Sequence, residues 1–228
     1  MASLAVWALA AAGLSPLLQN QAVGPAWRVV GLPQQSMPST TYAFETVDGR
    51  DALRVQVAAS YGNLVQAVPK AAAPRALRWS WRVQQANLAS DLRIKPGGDS
   101  AVKVCLSFDM SLDRVPFVER QVLRLARAST GEDLPAATLC WVWGGAEDKG
   151  ALVSDPFSRR VRYIVLRQSQ DPLSTWFDET RDVAADFRRA FGDESPDVPT
   201  VTAVIVSGDG DNTGATSLAH VADLRWQP

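Results

Sequence analysis

The sequence predicts a mainly β protein, an antiparallel β-sandwich or jelly roll with two short helices. About ten short runs of alternating apolar and polar residues are separated by turn signals every ten or so residues. One of these runs, 77–83, places two tryptophans on the same face of a strand. Helical spacing is confined to two short segments, 116–128 and 182–191.

The strand 77–83 predicts where the core lies. Its residues alternate between two faces, with Leu77, Trp79, Trp81 and Val83 on one and Arg78, Ser80 and Arg82 on the other. Burying two indoles stabilises a fold by several kcal/mol, at roughly 25 cal/mol per Å² of apolar surface. We therefore expect this strand in the middle of a sheet that packs against a second apolar layer.

The remaining strands of the first half follow from alternation and turn residues. Asp48-Gly49 separates two alternating runs and predicts a hairpin, because its turn needs positive φ. A polar, Gly-rich loop is expected over 90–99. The predicted strands are 27–30, 41–47, 52–58, 61–68 and 101–109.

In the second half, two helices interrupt the strands. The segment 116–128 has apolar residues at helical spacing: Phe117, Val118, Val122, Leu125 and Ala126. The helix 182–191 has Asp182 as a candidate N-cap and Gly192 as its stop. The predicted strands are 138–143, 160–167, 199–207 and 217–226.

Length and charge fit one globular domain over 25–228, preceded by a leader. The chain has 228 residues, with 23 basic and 24 acidic side chains. The near-zero balance and the lack of a basic patch argue against nucleic acid as a partner.

Residues 1–24 read as a signal peptide, which predicts a periplasmic or secreted protein. The run from Leu4 to Leu18 is apolar but too short for a bilayer helix, and a cleavage site is expected between Ala22 and Ala26. No Lys or Arg precedes Arg28, so the usual basic start is missing. A buried N-terminal helix or a misassigned start is the alternative.

Two cysteines, Cys105 and Cys140, fall in two separate predicted strands. An oxidising compartment would join them if those strands are neighbours. Buried free thiols are the alternative.

Several segments together resemble a bacterial family of unknown function, DUF3047. They are 77–83, 89–99, 138–143, 181–192, 211–214 and 223–226. The resemblance covers nearly everything after the leader and implies an exported sandwich similar to galactose-binding or carbohydrate-binding modules. It implies no activity. The sequence departs from the family pattern at Gly98-Asp99 and at His220.

The loop 209–214 is a candidate calcium site. Asp209, Asp211 and Asn212 supply hard oxygen ligands, and Gly210 and Gly214 permit a tight turn. The loop lacks the distal Glu of a helix-loop-helix calcium site, and the same residues are common in ordinary turns.

Two further sets are candidates for ligand binding. Trp141 and Trp143 share one face of a strand and would stack on sugar rings if exposed, although burial in the core is favoured. Arg78 and Arg82 would form a polar groove with residues of the following loop, and a solvated face with weak ion pairs is the alternative. The loop residues of that groove are Asp91, Lys95 and Asp99.

The sequence shows no catalytic motif. His220 is the single histidine, and neither a nucleophile elbow nor a zinc-ligand cluster is present. A hydrolase with two carboxylates needs only Asp or Glu at the correct separation. The possible acids are Asp109, Glu119, Asp178 and Asp223.

Three functions are compatible with these observations. The sequence favours an exported, non-catalytic module that binds a carbohydrate or a cell-envelope polymer. A carbohydrate-active hydrolase or lyase, with carboxylates in the sheet groove, is the first alternative. A structural role in an envelope assembly is the second. Whether the protein is an enzyme stays open at this level.

Overall fold

A computed structural model describes residues 14–71 and 73–227 of the chain. Within these residues it has fourteen β-strands and two α-helices. The strands of the first half are β1 (Leu18–Gln19), β2 (Ala22–Val23), β3 (Arg28–Val30), β4 (Thr41–Val47), β5 (Arg50–Ala58), β6 (Asn63–Ala71) and β7 (Ala76–Gln85). Those of the second half are β8 (Val102–Phe108), β9 (Ala137–Trp143), β10 (Leu152–Ser154), β11 (Val161–Arg167), β12 (Phe177–Asp182), β13 (Val201–Ser207) and β14 (Thr216–Gln227). The helices are α1 (Phe117–Thr130) and α2 (Val183–Phe191).

The strands form two main sheets and one small hairpin. The seven-stranded sheet has the order β10-β11-β9-β8-β13-β6-β3, and the five-stranded sheet has the order β12-β7-β14-β5-β4. All neighbours run antiparallel except β9 and β11, which are parallel. The predicted class, a mainly β antiparallel sandwich with two short helices, is confirmed.

Four tryptophans from the two sheets meet at the centre of the sandwich. The ring of Trp79 lies 5.4 Å from that of Trp141, and the ring of Trp81 lies 5.9 Å from that of Trp143. All four side chains are buried. The strand 77–83 lies between β12 and β14, as its alternation predicts. The core therefore sits where the paired indoles indicate.

Most predicted strands are present with shifted ends. The Asp48-Gly49 hairpin between β4 and β5 is confirmed, and both residues have positive φ. Four strands were not predicted: β1 and β2, which lie in the expected leader, and β10 and β12. In β12 charged residues occupy both faces, since Glu179 and Arg181 point toward the interior and Asp178 points outward. A strand without apolar alternation gives no period-two signal.

Helix α1 is present, but its apolar stripe faces away from the body. Phe117, Val118, Val122 and Leu125 are exposed, and Leu123 is its buried residue. Polar contacts hold the opposite side: Glu119 accepts from Arg160, and the Arg127 guanidinium donates to the carbonyl of Leu134. Neither helix of the described chain has the length and apolar character needed to span a bilayer.

Helix α2 begins and ends as its sequence predicts. Asp182 caps it by accepting a hydrogen bond from the backbone N–H of Ala185 at 2.8 Å. Its buried residues include Val183, Phe187 and Phe191, and Gly192 follows the last turn.

Cys105 and Cys140 are joined by a disulfide between β8 and β9. The two residues are directly opposite each other in the register of these neighbouring strands. Of the two alternatives left by the sequence, the bonded form is the one that the structure has. The pair lies in a second, smaller core on the other side of the seven-stranded sheet, with Leu92, Val142, Tyr163 and Val165.

Residues 14–24 belong to the folded body, and residues 1–13 of the expected leader lie outside the described chain. Leu17 is buried in the main core, and β1 pairs with β2. The Ser15 backbone N–H donates to the side chain of Gln66 at 3.2 Å. The Trp27 indole N–H donates to the Pro16 carbonyl at 3.1 Å.

Candidate functional site

The structure separates the residues of the predicted polar groove. Arg78 and Arg82 lie on the outer face of the five-stranded sheet, opposite the buried tryptophans of β7. The three loop residues have partners elsewhere. Asp91 pairs with Arg93 at 2.8 Å, and the Lys95 ammonium lies 5.3 Å from the Phe157 ring centre. The Asp99 carboxylate accepts from Asn212 and Thr213.

Trp141 and Trp143 do not form a surface platform. Both are core residues, exposed by 0% and 1% respectively. The Trp141 indole N–H donates to Asp186 at 2.7 Å, and that of Trp143 donates to the Gln168 carbonyl at 2.8 Å. Burial, the alternative favoured by the sequence, is confirmed for both residues, and neither can stack on a ligand.

In the loop 209–214, both carboxylate oxygens of Asp209 are used within the protein. Asp209 accepts from the Ser100 backbone N–H at 2.8 Å and from the Lys103 ammonium at 2.5 Å. Asp211 Oδ1 is buried without a hydrogen-bond partner in the described chain. Burial, followed by the nearby Asp99 and Asp209 carboxylates, raises the pKa of Asp211.

No group of three or more His, Cys, Asp or Glu residues is placed to hold a metal among the residues described. The calcium site at Asp209, Asp211 and Asn212 stays a prediction.

The outer face of the five-stranded sheet has a floor of small residues at its centre. Ala222 is paired with Ser80, and the pairing of Leu53 with Val221 brings Ala52 next to Ala222. Ala52, Ala222 and Ser80 point away from the core and are still at most 3% exposed. Larger side chains of the same face must therefore cover them.

Two of these covering side chains are Arg50 and Trp176. Arg50 begins β5, and Trp176 immediately precedes β12. The strands β7 and β14 lie between β5 and β12, a span of roughly 14 Å at the usual strand spacing. The Arg50 guanidinium nevertheless lies 4.8 Å from the Trp176 ring centre, a cation–π contact. The two side chains therefore meet across the small-residue floor.

One side of the floor is bounded by His220. Its Nε2 lies 3.0 Å from Glu45 Oε2, and Arg54 Nε lies 3.4 Å from the same oxygen. His220 is paired with Arg82 across the strands, and its ring centre is 6.5 Å from that of Trp176. We name this set of residues the outer-face site: Arg50, Ala52, Ser80, Arg82, Trp176, His220 and Ala222.

Four buried nitrogen atoms of the outer-face site have no hydrogen-bond partner in the described part of the chain. They are Arg50 Nη1, Arg82 Nε, Trp176 Nε1 and His220 Nδ1. Acidic side chains approach two of them but stay beyond hydrogen-bond distance: Arg82 Nε is 3.6 Å from Asp48, and Arg50 Nη1 is 3.6 Å from Asp178. Buried polar groups are normally paired, so four unpaired atoms in one place make this face the candidate binding site.

Two of the four candidate acids lie at this site. Asp178 and Asp223 both approach Arg50 Nη1 within 4 Å. The hydrogen bond from Ser80 and then the charge of Arg50 lower the pKa of Asp178. Glu119 instead pairs with Arg159 and Arg160 beside α1, and Asp109 follows β8 in the other sheet.

The sequence did not identify the outer-face site as a unit. Glu45, Arg50 and Trp176 are not singled out by the sequence, and His220 is noted there only as the single histidine and as a departure from the family pattern. These residues come from three strands, β4, β5 and β14, and from the segment just before β12, which are far apart in the chain. The available signal was the alternation of charged residues opposite an apolar face, which locates Arg78 and Arg82 but not their neighbours.

Two shallow depressions of the surface lie elsewhere. One, of about 450 Å³, is lined by Arg93, Glu147 and β10, and the other, of about 520 Å³, by Arg75, Thr180 and Gln227. Within the described residues, none that line them has a buried polar side-chain atom without a partner. The outer-face site therefore remains the stronger candidate.

Comparison with known proteins gives one family and several solved structures. A family model described as a protein of unknown function, DUF3047, matches residues 25–225. No curated protein has a matching sequence.

The solved structures share about 10% identity with the chain. The K1 cleaved adhesin domain of Lys-gingipain from Porphyromonas gingivalis W83 is 10% identical, with 90% of this chain and 92% of that chain covered and a TM-score of 0.39. TmCBM61, solved in complex with β-1,4-galactotriose, is 11% identical, with 92% and 96% covered and a TM-score of 0.38. Endoglucanase 3 of Trichoderma harzianum, from family GH12, is 10% identical, with 90% and 95% covered and a TM-score of 0.46.

Proposed function

Because the chain belongs to the DUF3047 family, whose description assigns no function, we propose a function from the outer-face site itself. The match over residues 25–225 confirms the resemblance to this family that the sequence segments indicate. The proposed function is that of a non-catalytic module that binds a carbohydrate or a cell-envelope polymer on the outer face of the five-stranded sheet. The four unpartnered nitrogen atoms around the small-residue floor are the observation that carries this proposal.

Two properties of the site support a sugar as the ligand. Trp176 provides an indole at a partly exposed position, and sugar rings pack their C–H faces on aromatic rings. Buried donors beside it offer hydrogen bonds to ring substituents, which is the usual composition of a site for small polar molecules.

Removing the indole tests the proposal. We expect Trp176→Ala to weaken polysaccharide binding about tenfold, because an aromatic contact contributes about 0.5–1.5 kcal/mol beyond its buried area. Phe117→Ala removes an exposed aromatic ring from α1, outside this face, and should leave binding unchanged. Binding is measured by affinity electrophoresis and calorimetry against a panel of neutral and acidic polysaccharides. The absence of binding to every polymer, or equal effects of both variants, would contradict the proposal.

A hydrolase is the second candidate, favoured by the two carboxylates that share Arg50. The lowered pKa of Asp178 suits a base or a nucleophile rather than a general acid. Product analysis in the same polysaccharide panel separates the two functions. Released oligosaccharide that disappears in Asp178→Asn supports the enzyme, whereas binding with no turnover supports the module.

We further propose that the protein is exported and that its leader ends before Leu14. The disulfide fits an oxidising compartment. Cleavage between 22 and 26 would remove Leu17 from the core and the hydrogen bonds of Ser15 and Pro16.

The mature N-terminus tests this boundary. We expect intact-mass measurement of the protein recovered from the periplasm or medium to give a chain that begins no later than Leu14. A mature chain that begins between Val23 and Trp27 would contradict the boundary. Retention of the uncleaved chain in the cytoplasm would contradict export.

A further inference from the structure

We propose that the ligand of the outer-face site carries a carboxylate, so that the polymer recognised is one that contains uronic acid. This inference rests on the proposed function and names its substrate class. It comes from the chemistry of the unpartnered atoms and from the state of the acids around them.

The unpartnered atoms require acceptors. Arg50 Nη1, Arg82 Nε and Trp176 Nε1 are N–H donors in every protonation state. The fourth atom, His220 Nδ1, donates when the ring is protonated and accepts when the proton is on Nε2 alone. The described residues of this face include no buried oxygen without a partner. The ligand must therefore supply acceptor atoms to at least three donors.

The acids of the face are not placed to satisfy these donors. Asp178 accepts from Ser80, and Glu45 is shared between His220 and Arg54. Asp178 and Asp223 are at least half exposed, whereas Arg82 is 10% exposed in its side chain. The negative charges thus lie toward the rim, and the donors lie inside it.

The positions of the donors suit a carboxylate better than a hydroxyl. A carboxylate has two oxygens with about four acceptor sites, and it accepts from a guanidinium in two parallel hydrogen bonds. A hydroxyl has one oxygen with two acceptor sites and also carries a proton that needs an acceptor. Arg82 and His220 are paired in neighbouring strands, and the Trp176 ring lies 6.5 Å from that of His220. We therefore expect one sugar residue to place its carboxylate at Arg82 and its ring on Trp176, with hydroxyl groups left for His220.

The single histidine allows a direct test in the whole protein. His220 is the only histidine of the chain, so its imidazole gives one set of NMR signals. The probes are glucuronate and glucose, which differ by a carboxylate in place of a hydroxymethyl group, titrated at fixed pH and ionic strength. We expect glucuronate to shift the His220 signals saturably and to bind at least tenfold more tightly than glucose.

Two arginine variants control for charge. Arg82→Gln should remove the preference for glucuronate. Arg120→Gln removes the same charge from α1, where Arg120 Nε is also buried without a partner in the described chain, and should leave the preference intact. Both variants are checked for unchanged thermal unfolding.

The outcomes separate this inference from the proposed function. Equal affinity for glucose and glucuronate would overturn the carboxylate and leave carbohydrate binding in place. A preference that survives Arg82→Gln, or is lost equally in Arg120→Gln, would also overturn it. If neither sugar shifts His220 and no polysaccharide binds, the proposed function fails and the inference with it.

Discussion

Replacing Asp209 by Asn is expected to lower the free energy of unfolding by about 3–5 kcal/mol, because it leaves the buried Lys103 ammonium without its counter-ion. The two side chains are 6% and 9% exposed, and Lys103 Nζ lies 2.5 Å from Asp209 Oδ2. The other oxygen of Asp209 accepts from the backbone and the hydroxyl of Ser100. One carboxylate thus joins the loop after β13 to the start of β8.

The pair is expected to stay intact at physiological pH. Burial alone would lower the pKa of Lys103, but the charge and hydrogen bond of Asp209 outweigh burial and raise the pKa above 10.5. A raised pKa in the folded state stabilises the protein below the unfolded value of 10.5, and the stabilisation is lost as the pH rises through the folded value. Stability from this pair should therefore decline only in strongly alkaline solution.

Urea denaturation of the single and double variants measures this effect. We expect Asp209→Asn and Lys103→Met to cost several kcal/mol each, and the double variant to cost less than their sum. The pair Lys149–Asp171 is a matched control, since its atoms are also 2.5 Å apart but Lys149 is 47% exposed. Lys149→Met should cost at most about 1 kcal/mol. Additive costs in the buried pair would show that Lys103 is not held by Asp209.

The buried pair also shows where prediction from sequence reaches its limit. The alternation of β8 puts Val102, Val104 and Leu106 on one face, which lies in the main core, and Lys103 on the other. The structure covers that face with a second core that contains Tyr163, whose ring lies 5.8 Å from Lys103 Nζ. The sequence around Lys103 gives no sign that this charge is buried, because its partner, Asp209, is more than a hundred residues away.

Local signals were sufficient for much of the fold. The hairpin at Asp48-Gly49, the cap at Asp182 and the tryptophan strand each depend on neighbouring residues, and all three are confirmed. The strand β12 and the outer-face site depend on contacts between distant strands. Glu179, for example, points inward and accepts from the Trp81 indole and from Arg167. Because a charged residue takes an inward position, β12 has no alternation of apolar and polar residues that would predict it.

The second large effect on folding stability is expected from replacing the buried tryptophans of the core. We expect Trp141→Ala and Trp79→Ala each to lower the free energy of unfolding by about 3–5 kcal/mol, since a large buried side chain is lost and a cavity remains. Total stability of a domain is about 5–15 kcal/mol, so either change approaches unfolding. Both rings are fully buried and lie 5.4 Å apart, so the stability lost with the packing of each ring should be comparable.

Substitution by Phe separates packing from hydrogen bonding in this pair. The Trp141 N–H donates to the buried Asp186 of α2, whereas Trp79 Nε1 has no hydrogen-bond partner in the described chain. Trp141→Phe removes a donor from a carboxylate that otherwise depends on Arg181, and Trp79→Phe removes none. We expect Trp141→Phe to cost about 1–3 kcal/mol more than Trp79→Phe in urea denaturation.

The two Phe variants also differ in what they should do to α2. Asp186 ties this helix to β9 through Trp141, so hydrogen exchange in 183–191 should accelerate in Trp141→Phe and remain slow in Trp79→Phe. Equal costs and equal exchange would mean that the helix is held by its apolar residues alone, Val183, Phe187 and Phe191. In that case Asp186 would be satisfied by Arg181, and the indole N–H would contribute little to the stability of the sandwich.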